Sequence, residues 1–270
     1  MSMENIVSRS NELQTVHTIK RDLSVIGIES GSTVLVHSSL SSIGWVNGGT
    51  QAVIQALMET VTDAGTIVMP SQSGDWSDPA DWSNPAVPEQ WWNEIRATMP
   101  AYDPSVTPTR GMGKIPELFR TLPDVKRSAH PAVSFAAWGK DAEKLTAGHQ
   151  LNWSFGDDSP LGKLYRTGAD VLLIGAGYDS CTAFHLGEYR APGGKRIESG
   201  ASIQTDAGPQ WVTYEDIEVD NEEFEQVGKK LEAEKQVHTG NIGLAPVKRF
   251  SVQDAVDVSE AYFSEMRSLT

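Results

Sequence analysis

A chain of 270 residues with 39% hydrophobic and 21% charged side chains can bury a large core, as one domain over 1–270 or as two closely packed lobes. Its 36 acidic and 22 basic residues leave a formal charge of −14, which argues against nucleic-acid partners, whose phosphates need a basic face, and favours cationic ligands. One cysteine excludes a disulfide framework and a cysteine-rich zinc site, no apolar run reaches membrane-spanning length, and residues 1–14 lack a signal-peptide core. The expectation is therefore a cytoplasmic protein with no membrane partner and no metal.

Apolar residues at Leu13, Val16, Ile19, Leu23 and Ile26 keep the helical period, and Gly27 and Gly31 close that helix. Thr33–Val36 reads as a buried strand. It runs into a hydroxyl-rich loop, and Thr50 is placed as the cap of a helix with Val53, Ile54, Leu57, Met58 and Val61 on one face and Gly65 as its stop. Thr66–Met69 returns as a strand, so the order is βαβ and the pairing parallel. The loop over 37–49 is neither a Walker loop nor a dinucleotide fingerprint. It is either a plain connection or, through free N–H groups at the helix start, a seat for an anion such as a pyrophosphate.

From Ser71 to Thr109 the chain becomes an irregular excursion rich in proline and tryptophan, with one short helix near Glu89 to Met99. Trp76, Trp82, Trp91 and Trp92 either pack this excursion together or, with acids such as Asp75 and Asp103, line a pocket for a cationic ligand. Thr107–Gly113 is a second small-residue loop feeding a helix over Lys114–Leu122. His130, before a proline, is either packed or a ligand contact, and it leads into a strand at Val133–Trp138. Lys140–Ala147 reads as a short helix, and Asp157-Asp-Ser-Pro160 caps a further helix through Tyr165.

Asp170–Arg190 is the centre of the functional reading. Val171–Ile174 suits a strand buried on both faces, Gly175 and Gly177 break it, and small polar residues start a helix running to Tyr189. His185 and Glu188 are three apart on that helix, hence on one face, past the end of a central strand where open α/β sheets bind ligands. They form either a solvated surface pair or a general base aligned by a carboxylate. Cys181, four residues before His185, shares a helix face with it and offers an alternative as a thiol nucleophile with its base. Beyond Gly194, 196–205 and 210–219 read as a hairpin, Asn221–Lys235 as a charged helix with a solvated face, 238–246 as a glycine-punctuated loop, Val247–Ser251 as a strand and Val252–Leu269 as a helix.

Four stretches, HSSLSSIGWVNGG at 37–49, YDPSVTPTRGMGKIPE at 102–117, RSAHPAVSFAAWG at 127–139 and GAGYDSCTAFHLGE at 175–188, together with SPLGKLY at 159–165 and GNIGLAPVKRF at 240–250, resemble the aminoglycoside 3-N-acetyltransferase family in order and over nearly the whole chain. The resemblance implies a three-layer α/β/α core with a mixed central sheet, acetyl-coenzyme A as acyl donor and antibiotic resistance as the outcome. It places the coenzyme against Ser38, Ser39, Leu40, Gly44, Val46 and Gly49, against Thr107, Met112 and Gly113, and near His130 and Ser134. It makes His185 of the T-x-x-H-x-x-E pattern the catalytic base, oriented by Glu188, with Thr107 as the oxyanion donor considered and Asp75, Tyr102 and Asp103 as the acceptor contacts. The expected acceptor is a polycationic amine, either an aminoglycoside or another amine altogether.

Overall fold

A strand buried on both faces must be covered on both, and this requirement sets the layers. The computed structural model describes residues 3–10 and 12–269. Helices α1 (Met3–Arg9) and α2 (Val16–Val25) precede β1 (Thr33–Ser38), α3 (Leu40–Ile43), α4 (Gly49–Val61) and β2 (Thr66–Pro70). The excursion holds α5 (Trp92–Thr98) and ends in α6 (Lys114–Phe119), followed by β3 (Lys126–Arg127), β4 (Phe135–Gly139), α7 (Ala142–Thr146) and α8 (Pro160–Thr167). Then come β5 (Asp170–Ile174), α9 (Ala183–Arg190), the hairpin β6 (Arg196–Thr205) and β7 (Gly208–Ile217), α10 (Phe224–Glu234), β8 (His238–Ile242), β9 (Ala245–Ser251) and α11 (Val252–Ser268).

Seven strands form one mixed sheet in the order β3-β4-β2-β1-β5-β9-β8, and β6 and β7 pair separately. β1 lies parallel to β2 and to β5, and the outer pairings are antiparallel. Alternation along the strands divides the core. Leu35, Val68, Phe135, Val171 and Leu173 face Leu161, Phe184, Leu186, Phe224 and Phe263 of α8 to α11, whereas Val34, Val36, Ile67, Leu172 and Ile174 face Ile19, Leu23, Val53, Leu57 and Phe119 of α2, α4 and α6. Val171–Ile174 are all but fully buried, and each such aliphatic side chain contributes about 1.5–3 kcal/mol by leaving water. The three-layer α/β/α arrangement thus follows from two-sided strands.

Some boundaries differ from the sequence reading. α2 starts at Val16 because Thr15 and Thr18 form a reciprocal capping box, leaving Leu13 outside it and exposed. Gly48, not Thr50, is the N-cap of α4. Residues 238–246 are not a loop. β8 hydrogen-bonds to β9 from Ile242↔Ala245 back to His238↔Arg249, and its half-exposed, polar edge position hides it from a hydrophobic pattern. The predicted helices over 114–122 and 140–147 are real but shorter, and α1 and β3 carry no periodicity long enough to read.

The parallel strands β1 and β5 end side by side, with Ser38 opposite Ile174 and Ser39 N–H donating to Ile174 O at 2.9 Å. Gly175 turns the chain there at φ +61°, where a Cβ would stand 2.4 Å from Ser42 Cβ. Only glycine lets the loop leave β5 this close to α3. That exit directs Gly177 to Thr182 across the strand ends and starts α9 over them.

Candidate active site

The site is built from α9 outward. His185 Nδ1 and Glu188 Oε2 are 3.1 Å apart, so the imidazole donates its Nδ1–H to the carboxylate and keeps Nε2 as the acceptor for the cavity it lines. Glu188 is 4% exposed and is also 3.5 Å from Arg267 Nη2 of α11, whose Nη1 donates to the Glu188 and Ala191 carbonyls. Phe155 stacks on the His185 ring at 4.8 Å and 11°, and Phe224 packs on it at 4.8 Å. A solvated surface pair would have neither the buried carboxylate nor the sandwiched ring, so the imidazole is held in one orientation.

Two cavities meet beside it. One, of about 660 Å³, is lined by His185, Thr182, Phe155, Phe224, Asp179, Asp220 and Asn221 among others. The second, of about 510 Å³, is lined by Ser38, Ser39, Leu40, Gly44, Trp45, Val46, Gly49, Met112, Gly113 and Lys114 among others. Ser38, Ser39, Gly111 and Met112 belong to both. Among the described residues the first lining contains acids and no lysine or arginine, and the second contains a lysine and no acid. A cation therefore suits the first and an anion the second.

Three histidines close to this region are held neutral. His37 lines the His185 cavity with Nε2 3.5 Å from Thr182 Oγ1, and burial beside His185 pushes its pKa down to about 3. His149 accepts from Ser128 Oγ and donates to Ser154 O, while His130 accepts from Val133 N–H and donates to Leu151 O. Each ring needs one bare nitrogen, and burial lowers these pKa values to about 4 and about 3. A lowered folded pKa means that the unfolded chain binds more protons below pH ~6.5, so stability falls as pH drops through that value and keeps falling toward the folded pKa. Unfolding at pH 5.5 is expected to take up close to three protons through these groups, measured as the slope of unfolding free energy against pH. A flat profile from pH 6.5 to 5 would contradict it.

Comparison with known proteins gives this geometry its family. A profile described as aminoglycoside 3-N-acetyltransferase matches residues 35–264. Over 262 residues the chain is 52% identical to the SPbeta prophage-derived aminoglycoside N(3')-acetyltransferase-like protein YokD of Bacillus subtilis (strain 168), covering 97% of this chain and 96% of YokD. The chain belongs to the aminoglycoside 3-N-acetyltransferase family. The crystal structure of YokD matches at TM-score 0.97 and 50% identity over 99% of both chains. A structure of AAC-IIIb as a binary complex with CoASH matches at TM-score 0.84 and 27% identity, over 94% of this chain and 98% of that one. AAC-VIa bound to sisomicin matches at TM-score 0.85 and 28% identity, over 94% and 99%. The chain is an acetyltransferase enzyme of this family.

Of the coenzyme contacts that the family resemblance implied, Ser38, Ser39, Leu40, Gly44, Val46, Gly49, Met112 and Gly113 all line the second cavity. Thr107, His130 and Ser134 line neither. Thr107 Oγ1 accepts from Asp103 N–H, and Arg127 ties Thr107 O, Ser134 Oγ, Ser71 O and Ser73 Oγ together. Arg127, Thr107 and Ser134 are struts that hold the 107–113 loop against the strand ends, aided by Glu117, whose carboxyl falls to about 2 under hydrogen bonds from Arg120 and Thr109 that outweigh its burial. Asp75, Tyr102 and Asp103, expected as acceptor contacts, also line neither cavity. Asp75 pairs with Arg110 at 2.7 Å, Asp103 accepts from Ser105, and Tyr102 donates to Ser128 O in the interior. The acids in the His185 cavity are Asp179 and Asp220, beside Asn221, which donates to Asp179 O at 2.9 Å. The only available signal was Asp179 in the 175–188 motif and the acid-rich start of the helix after 220. Cys181 is fully buried with its thiol pushed up to about 12, so it stays protonated and packed.

Proposed function

We propose that this enzyme transfers the acetyl group of acetyl-coenzyme A directly to the 3-amino group of a 2-deoxystreptamine aminoglycoside, with His185 as general base. The observation that carries it is the pair of adjoining cavities of opposite electrostatic character that share the wall beside His185. That AAC-IIIb binds CoASH and AAC-VIa binds sisomicin supports a coenzyme donor and an aminoglycoside acceptor.

Ser38 to Gly49 and Gly111 to Lys114 would hold the coenzyme, whose thioester supplies the acyl group. Asp179 and Asp220 would receive the acceptor's ammonium groups. An aminoglycoside amine is mostly protonated near neutral pH. His185 Nε2 takes its proton, and Glu188 balances the imidazolium that forms. The freed amine attacks the thioester carbonyl, and the C–S bond breaks as the C–N bond is made. The departing coenzyme thiolate takes up the second amine proton, and the imidazolium returns its proton to water. Thr107 lines neither cavity, so oxyanion stabilisation falls to the Ser38, Ser39 and Thr182 side of the junction. Resistance would follow from loss of the acceptor's positive charge.

The test is thiol release from acetyl-coenzyme A with a panel of 2-deoxystreptamine aminoglycosides and one simple amine. Turnover on at least one aminoglycoside, with one acetyl added to its mass, is expected. Silence across the panel together with intact coenzyme A binding would keep the donor site and assign the acceptor to another amine.

A further inference from the structure

Trp45 is 37% exposed and lines the donor cavity beside Ile6 of α1. Its backbone is held on both sides. Trp45 N–H donates to Ser10 Oγ at 2.7 Å, its carbonyl accepts from Gln14 N–H at 3.3 Å, and Asn47 N–H donates to Gln14 O at 2.8 Å. An indole on so fixed a backbone, left partly in water at a cavity wall, is a preorganised stacking surface. It stands outside the Ser38, Ser39, Gly111 and Met112 wall where thioester and amine must meet. Lys114 lines the same cavity with no ion-pair partner among the described residues, which leaves a cation for phosphates. The end of the coenzyme farthest from the reacting carbonyl is a flat aromatic base.

We propose that Trp45, with Ile6, is the platform on which the adenine of the coenzyme stacks, an inference that rests on reading this cavity as the donor site. It would make the segment before α2 part of the binding site. Stacking of a base on an aromatic side chain is strong enough to change affinity about tenfold or more.

The experiment compares acetyl-coenzyme A with S-acetylpantetheine, which carries the thioester but no adenosine or phosphate, in wild type, Trp45→Ala and Trp45→Phe. Trp45→Ala is expected to raise KM for acetyl-coenzyme A about tenfold or more with little change in kcat, and to lower the preference for acetyl-coenzyme A over S-acetylpantetheine by the same factor. Trp45→Phe should restore most of that preference. Equal losses on both donors, or an unchanged ratio, would overturn the platform. Failure of the wild type to bind coenzyme A by calorimetry would overturn the donor site itself, and is told apart by needing no variant.

Discussion

His185→Ala is expected to lower kcat by about 10²–10⁴-fold, the usual contribution of a positioned general base, while the dissociation constant for coenzyme A stays within about twofold. The split follows from geometry. His185 lines the first cavity but not the second, and its ring is held by Glu188, Phe155 and Phe224 rather than by any group lining the second. Glu188→Gln should lose less than His185→Ala, since the amide still accepts from Nδ1–H but does not balance the imidazolium charge. Arg267 would meanwhile lose its carboxylate partner. Steady-state kinetics with calorimetric coenzyme binding decides the matter. Equal loss of turnover and coenzyme affinity in His185→Ala would show a structural role instead.

Gly187→Ala is expected to destabilise the protein by about 3 kcal/mol, the upper part of the overpacking range, and to lower the melting temperature by roughly 6–12 °C. Gly187 sits between His185 and Glu188 on α9, where a Cβ would come within 1.9 Å of Ser259 Oγ, 2.5 Å of Glu260 N and 2.6 Å of Val256 O on α11. Two of those atoms are backbone, so a rotamer change does not relieve the clash. Helix interiors disfavour glycine by about 1 kcal/mol relative to alanine, so its presence here reflects close helix contact rather than local preference. α11 also carries Arg267, which grips Glu188, so pushing the helices apart should loosen the dyad and lower kcat as well. Gly74→Ala, at a position with open space around the added methyl, is the control and should change stability by less than about 0.5 kcal/mol. Calorimetry of both variants checks this, and a Gly187→Ala protein as stable as wild type would refute it.

How much could be read beforehand depended on whether the signal was local. The run Val171–Ile174, the glycine at 175 and the three-residue spacing of His185 and Glu188 are local facts, and their consequences appear directly as a two-faced strand, a sharp exit and a hydrogen-bonded pair. The parallel pairing of β1 and β2 followed from chain order in the same way. Other features are local in appearance and tertiary in fact. Asp75 looks like a free acid in an acidic stretch, but Arg110, 35 residues away, neutralises it. Thr107 looks like a hydroxyl on a ligand loop, but its hydroxyl accepts from Asp103 N–H and its carbonyl accepts from Arg127. Phe155, Asp220 and Phe224 enter the site from separate loops and a helix, and no spacing along the chain brings them to His185. Trp45 stood inside a motif otherwise read for its hydroxyls and glycines.

Mapping the product of a single aminoglycoside bears most directly on the account. Purified protein would be given acetyl-coenzyme A and one 2-deoxystreptamine aminoglycoside, and the acetylated nitrogen identified by NMR. A single acetyl group on the 3-amino nitrogen is expected. Acetyl on a different amine, or no turnover of any aminoglycoside with coenzyme A bound, would contradict it.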